Sequence, residues 1–242
     1  MLKRNAKIII DYAEFIHSFL EYKRQNNDTN RGFNLSWKDK LPCLRENSST
    51  AGYDGHYIYH TSWAARILAS NKPEFHVDFS SSLFFSTIVS AFIPIKFYDY
   101  RPAVIKLENL TSESRDLLNL SFKDNSLLSI SCMHVVEHIG LSRYGDPLDP
   151  NGDLKAISEL KRVLAIGGSL LFVVPIGEPK IIFNAHRIYS YNQIISYFHD
   201  FKLMEFSLIP DDYLIKGIIK NASREMADAQ KYGCGCFWFI KN

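Results

Sequence analysis

Apolar positions along the chain fall into a helical opening section followed by a long alternation of strand-like and helix-like runs. Ile9, Tyr12, Phe15, Ile16, Phe19 and Leu20 recur at helical spacing, which predicts an amphipathic packing helix over residues 8–22, ending near Lys23-Arg24. Two polar, Asn-rich stretches, 25–32 and 45–52, read as loops. From Ser62 the WAARILA run predicts a second helix that stops before Lys72-Pro73, because a residue preceding proline is pushed out of helical geometry. Residues 75–79 (FHVDF) are β-prone, and Ser80-Ser81-Ser82 then lead into an apolar helix reaching about residue 92. Further strands are expected at 95–100, ending at Asp99, and at 104–110, 127–133, 169–175, 202–209 and 236–240. Helices are expected at 152–164 and 191–198.

Repetition of the β, α, β order argues for an α/β fold, a doubly wound and mostly parallel sheet with an antiparallel C-terminal edge and an N-terminal helical extension. The expected division is an extension over residues 1–52 and an α/β domain over 53–242. Residues 127–175 are the most informative stretch. A hydrophobic strand opens into Glu137-His138-Ile139-Gly140, then a polar loop, an amphipathic helix, Gly167-Gly168 and another apolar strand, which is one βαβ unit. Ligands of such sheets sit beyond the carboxyl ends of the strands, so chemistry is expected at 133–149 and 175–187.

Composition narrows the class. With 242 residues, 46% hydrophobic and 22% charged, the chain reads as an ordinary soluble protein with no run long enough for a membrane span. A formal charge of +2, with Lys and Arg scattered along the sequence, argues against a nucleic-acid partner. Cys43, Cys132, Cys234 and Cys236 are too few and too irregular for a disulfide framework, and MLKRNAKIII is followed by Asp11 and Glu14 instead of a signal-peptide core. The expected location is the cytoplasm.

Particular residues then suggest chemistry. An acidic residue at the end of the second strand suits the hydroxyls of a ribose, and Asp99 stands there. His138, His186 and, behind them, His134 are candidate bases, because an imidazole titrates near neutrality; each also reads as a histidine bonded to backbone at a strand end. Arg143, Tyr144, Asn184 and Arg187 come from the loops after the fourth and fifth strands and could form an acceptor pocket, the arginines gripping a carboxylate or phosphate or else fixing loops as ion pairs. Tyr53, Asp54, His56 and Tyr57 could cover that pocket as a lid. His134-Val135-Val136-Glu137-His138 also spells the inverted zinc-protease motif, which requires a regular helix and a third carboxylate such as Glu205 or Glu225. Cys234-Gly235-Cys236 reads as part of a turn before the final strand, and no metal site is expected.

Residues 116–126 followed by LLSISCMHVVEHIG, and Glu159 to Leu164 followed by Gly167-Gly168 and LLFVVP, resemble the class I S-adenosylmethionine-dependent methyltransferases, from about residue 75 onwards. The narrower run GLSRYGDPLDPNGDLKA, with FNAHRIYS downstream, is similar to a branch of uncharacterised methyltransferase-like proteins associated with surface-polysaccharide genes. The resemblance implies a Rossmann-like methyltransferase fold with S-adenosylmethionine as cofactor. It places Asp116 near the adenine, Leu117 as backbone contact and apolar cover, and His134 near the cofactor. Glu137 and His138 then face the pocket. Asp78, Ser80 and Ser82 occupy the first loop, where the family has Gly-x-Gly; this chain has no glycine there, and Phe84 stands where a small residue is expected. Serine hydroxyls could cap the following helix and bond the cofactor's amino-acid end.

The expected reaction is methyl transfer, at oxygen, to a small polar or sugar-like acceptor in surface-polysaccharide biosynthesis. A methyltransferase-fold scaffolding protein without catalysis and, third, a zinc hydrolase stand as alternatives. The expected partner is a small-molecule or sugar-like substrate; a homodimer stays open.

Overall fold

The computed structural model describes residues 2–26 and 32–242, which fall into two units, Met1–Tyr53 and Asp54–Asn242. In the first, helix α1 (Leu2–Asn26) extends beyond the expected bounds at both ends, and Trp37 of a short 3-10 turn packs on Phe15 and Phe19 with ring centroids 6.1 and 4.9 Å apart. Arg45 pairs with Asp11. Among the described residues no helix is long and apolar enough to cross a membrane.

The second unit opens with helix α2 (Gly55–Asn71), started by the Asp54 side chain accepting from Tyr57 N at 3.4 Å. It ends with Lys72 in the left-handed region, one residue before Pro73, so the residue preceding the proline has left right-handed helical geometry. There follow β1 (His76–Asp78), α3 (Leu83–Val89), β2 (Ile95–Asp99), β3 (Leu110–Ser114), β4 (Leu127–Met133), α4 (Gly152–Val163) and β5 (Leu164–Ile176). A small ribbon of β6 (Lys180–Ile182) and β7 (His186–Ile188) comes next, then α5 (Tyr191–Tyr197), β8 (Phe201–Ile209), α6 (Tyr213–Lys216), β9 (Ile219–Lys220), α7 (Arg224–Asp228) and β10 (Gly233–Lys241). The eight-stranded sheet runs β3-β2-β1-β4-β5-β10-β8-β9. β1 to β5 pair parallel, while β10 lies antiparallel to both β5 and β8.

Helices cover both faces of this sheet, so central strands are apolar on both sides. Leu170, Phe172 and Val174 of β5 meet α4 (Ala156, Ile157, Leu160, Val163) and α5 (Ile194). Leu171 and Val173, the alternate residues, meet α2 (Trp63, Ala64, Ile67) and α3 (Phe85, Val89). Three expectations are corrected here. The third strand is β3 at 110–114 rather than 104–110. β3 pairs on one side only, so its LTSES sequence needs no apolar alternation, and the apolar run before it is a loop in which Val104 is 97% exposed. The fifth strand begins at Leu164, directly after α4, and carries Gly167-Gly168 within it as an irregularity. Cys234 and Cys236 lie in β10 itself, buried between β5 and β8 and not in a turn.

Candidate active site

The carboxyl ends of β1, β2, β3 and β4 face one cavity of about 400 Å³. It lies where the switch in strand order, β1 to β4, leaves a crevice. Asp99 ends β2 and lines it: Oδ1 accepts from Arg101 N at 2.6 Å, and Oδ2 has no hydrogen-bond partner among the described residues. After β3 come Asp116, whose Oδ1 accepts from Leu118 N at 2.9 Å, and the buried Leu117. Tyr98 stacks on Phe79 at 5.7 Å, and the Arg115 guanidinium sits 5.1 Å from the Tyr98 ring, giving this side a flat aromatic wall.

The first loop resolves differently from the sequence expectation. None of residues 79–84 has a positive φ, so the turn from β1 to α3 does not require glycine. Phe84 is 81% exposed and lies off the cavity. Asp78, Ser80 and Ser82 are buried and do not line it. Asp78 instead accepts from Ser131 Oγ at 2.5 Å, from Ser80 N at 3.1 Å and from the Ser86 hydroxyl, tying β1 to β4 and α3; burial pushes its carboxyl above the ordinary value against these bonds. Ser82 stands at the start of α3, but its hydroxyl makes no capping bond. The serine that reaches the cavity is Ser81, whose Oγ meets Tyr57 Oη at 3.0 Å and Met133 O at 3.3 Å.

β4 ends at Met133, and His134 turns the chain with φ +56° while its N–H donates to Val173 O at 2.9 Å. A single 3-10 turn, Val136–His138, follows. The regular helix demanded by the inverted zinc-protease spelling is therefore not formed, and His134 and His138 do not share a helix face. Glu137 is buried between them, with Oε1 2.9 Å from His134 Nδ1 and 3.8 Å from His138 Nε2. Burial pushes its carboxyl up, but the hydrogen bond from His134 and the two imidazoles outweigh it and leave it below the ordinary value. His138 lines the cavity, and its Nδ1 lies 2.6 Å from Ala185 O, while His186 sits behind it with ring centroids 6.3 Å apart. His186 is off the cavity; burial, then His138, lowers its pKa.

The following loop is folded around Asp146, whose carboxylate accepts from Gly140 N (2.7 Å), Tyr144 N (3.2 Å) and Ser142 N (3.3 Å). Gly140 closes it with φ +80°, and a Cβ there would stand 2.0 Å from Asp149 O, so only glycine fits. Tyr144 lines the cavity with Arg101 and Arg143 at 4.5 and 5.1 Å from its ring. Arg143 is exposed and donates to Ala185 O at 3.1 Å, and Asn184 is exposed at the β6–β7 turn; neither lines the cavity. Arg187 is placed away from it as well. It is 5% exposed, donates to Ile139 O at 2.7 Å and to the carbonyls of Glu137, Pro150 and Asp149 at 3.4 to 3.5 Å, and faces Asp153 at 3.6 Å. His56 and Tyr57, expected in a lid, form the first turn of α2 and pack on His134 with both rings at 5.6 Å. Sequence reasoning missed Ser81, Tyr98 and Arg115. The FYD spelling before Asp99 held the signal for Tyr98, but nothing set Ser81 apart from its neighbours.

A family model described as a Caenorhabditis protein of unknown function, DUF268, matches residues 114–209. No curated protein matches the chain. Among solved structures, the N-methyltransferase NodS from Bradyrhizobium japonicum, in complex with S-adenosyl-L-homocysteine, is 14% identical with a TM-score of 0.51, over 77% of this chain and 87% of its own. The 1,6-didemethyltoxoflavin-N1-methyltransferase from Burkholderia thailandensis is 9% identical at 0.50, over 76% and 79%. The YcgJ protein from Bacillus subtilis is 14% identical at 0.50, over 76% and 99%. These likenesses, with the strand order, define the second unit as a Rossmann-like methyltransferase fold.

Proposed function

We propose that this chain transfers the methyl group of S-adenosylmethionine to an oxygen of a small polar or sugar-like acceptor. The observation that carries the reading is Asp99, at the tip of β2 on a cavity within the roughly 300–1,000 Å³ range of small-ligand sites, with one carboxylate oxygen held and the other unbonded. Asp99 accepts the ribose hydroxyls, Asp116 the adenine amine, and Phe79, Tyr98 and Leu117 supply flat apolar cover. Ser81 takes the position of the cofactor's amino-acid end, beside His134, whose ring nitrogens are taken up by Glu137 and Cys234. Surface-polysaccharide biosynthesis as the setting, and the cytoplasm as the place, rest on the sequence resemblance and on composition.

When bound, the cofactor supplies an electrophilic methyl group; the chain's part is alignment and proton removal. His138 Nδ1 lies 2.6 Å from Ala185 O and 3.1 Å from Arg143 Nη1; in the tautomer that donates Nδ1–H to Ala185 O the lone pair falls on Nε2, and the Glu137 carboxylate 3.8 Å away stabilises the imidazolium formed when Nε2 takes the acceptor's proton. Tyr144 and Arg143 stand at the same loop to orient the acceptor. The glycine-free first loop was the ground for a scaffolding role. Its ordinary φ values and the outward Phe84 support a working site instead.

Calorimetry on the whole chain should detect S-adenosylmethionine or its demethylated product. Asp99→Ala should weaken binding about 30-fold or more, the loss of about 2 kcal/mol expected for charge-assisted hydrogen bonds. His138→Gln should leave that affinity near wild type and lower turnover by about 10²-fold or more. No binding of either ligand at millimolar concentration would sink the catalytic reading and favour the scaffold.

A further inference from the structure

We propose that His56, His134 and Cys234 form a binding site for a zinc-class divalent cation behind the cavity. The three come from the start of α2, the end of β4 and the start of β10, so no local spacing announces them. Their ligand atoms all lie within 4.8 Å of one another, and all three side chains are buried. His134 Nε2 stands 3.4 Å from Cys234 Sγ. Zinc–nitrogen and zinc–sulfur bonds of about 2.0 and 2.3 Å at a tetrahedral angle place those atoms about 3.5 Å apart.

A second observation concerns what stands behind His134. Its Nδ1 donates to Glu137 Oε1 at 2.9 Å, which puts the lone pair on Nε2, the nitrogen aimed at Cys234. A carboxylate behind a ligating imidazole is the usual way proteins orient and strengthen such a ligand. The His134 backbone is itself fixed by its N–H bond to Val173 O. His56 stacks parallel to His134 at 5.6 Å and is backed by Tyr232 at 5.0 Å, so neither ring is free to turn away.

Charge also favours the site. The Cys234 thiolate and the Glu137 carboxylate together balance the two charges of the cation, which makes burial of all the groups affordable. Two imidazoles and a thiolate select a borderline-soft metal over magnesium or calcium. The fourth position is left to water, and the buried, unpartnered His60 Nε2, whose ring centroid lies 5.0 Å from that of His134, is available to accept a hydrogen bond from it. His138 is not a ligand, so this site differs from the one the inverted zinc-protease spelling suggests.

The test uses the full chain, stripped with a chelator and titrated with Co²⁺. Expected are one cobalt per chain, a thiolate-to-cobalt charge-transfer absorption, visible bands of tetrahedral intensity, and displacement of the colour by Zn²⁺. Cys234→Ser should lose the charge-transfer band, and His56→Gln should weaken binding at least about tenfold while its circular dichroism stays that of wild type. Absence of stoichiometric uptake, uptake without a thiolate band, or a band that survives Cys234→Ser overturns the site. Should Cys234→Ser not fold, an unchanged cobalt affinity in His56→Gln overturns it equally. None of these readouts involves methyl transfer, so the site and the proposed reaction stand or fall separately.

Discussion

Replacing Arg187 by alanine should destabilise the second unit by about 3–5 kcal/mol, the range found when one member of a buried, hydrogen-bonded charge pair is removed. The guanidinium is 5% exposed and spends its donors on the carbonyls of Glu137, Ile139, Asp149 and Pro150, at both ends of the loop that carries Tyr144 and Asp146. Without it those carbonyls lose a partner, and Asp153, 4% exposed, is left with the Tyr189 hydroxyl at 2.9 Å. Arg187→Lys should recover little, because one ammonium cannot span carbonyls fanned around a planar fork. Denaturant unfolding decides the matter. A loss below about 1 kcal/mol, together with a raised KM, would return Arg187 to the acceptor-gripping role that its position in FNAHRIYS suggested.

Arg187 also shows why the site was only partly legible. This arginine was expected in the loop after the fifth strand and lies in β7 of the small ribbon there; an exposed arginine in a binding loop and a buried one clamping a neighbouring loop have the same spelling. What separates them is the pair of long-range neighbours, Ile139 O and Asp153, which no periodicity reports. The place of Asp99 on the cavity was legible because it depends only on an acidic residue standing at the end of a strand at the sheet's turning point. β3 was misplaced because an edge strand, covered on one side, can be as polar as LTSES. In the first loop Asp78, Ser80 and Ser82 turn inward while Ser81 reaches the cavity, a difference set by the path of the folded loop and not by residue type. The His56, His134 and Cys234 cluster is the extreme case, assembled from parts of the chain that share nothing but the folded sheet.

That sheet also carries a titration the sequence does not display, and acidification should reveal it. His76 of β1 is fully buried, its Nδ1 2.7 Å from Ser129 Oγ and its Nε2 2.8 Å from Ser131 Oγ, both on β4. Ser131 donates onward to Asp78 Oδ1 at 2.5 Å. With that proton committed, Ser131 Oγ accepts from His76 Nε2–H, and Nδ1 accepts from Ser129, so the neutral imidazole is satisfied at both nitrogens. Adding a proton at Nδ1 puts a charge into the interior, and burial accordingly lowers the His76 pKa to about 3. The unfolded chain takes up that proton near 6.5, so between 6.5 and about 3 the unfolded state holds more protons and stability must fall as pH falls. The effect is absent above the unfolded pKa. It grows by about 1.4 kcal/mol per pH unit below it, towards about 5 kcal/mol, which rivals the net stability of a typical domain. Asp78 works in the opposite sense, since burial raises its pKa and acid relieves the cost of its charge, but only nearer its own range. Urea unfolding from pH 7 to 4 should therefore show stability declining in the wild type and declining less in His76→Gln, which cannot take up the proton. Parallel pH profiles for the two proteins would mean that His76 titrates normally and that the Ser129-His76-Ser131-Asp78 chain admits a charge.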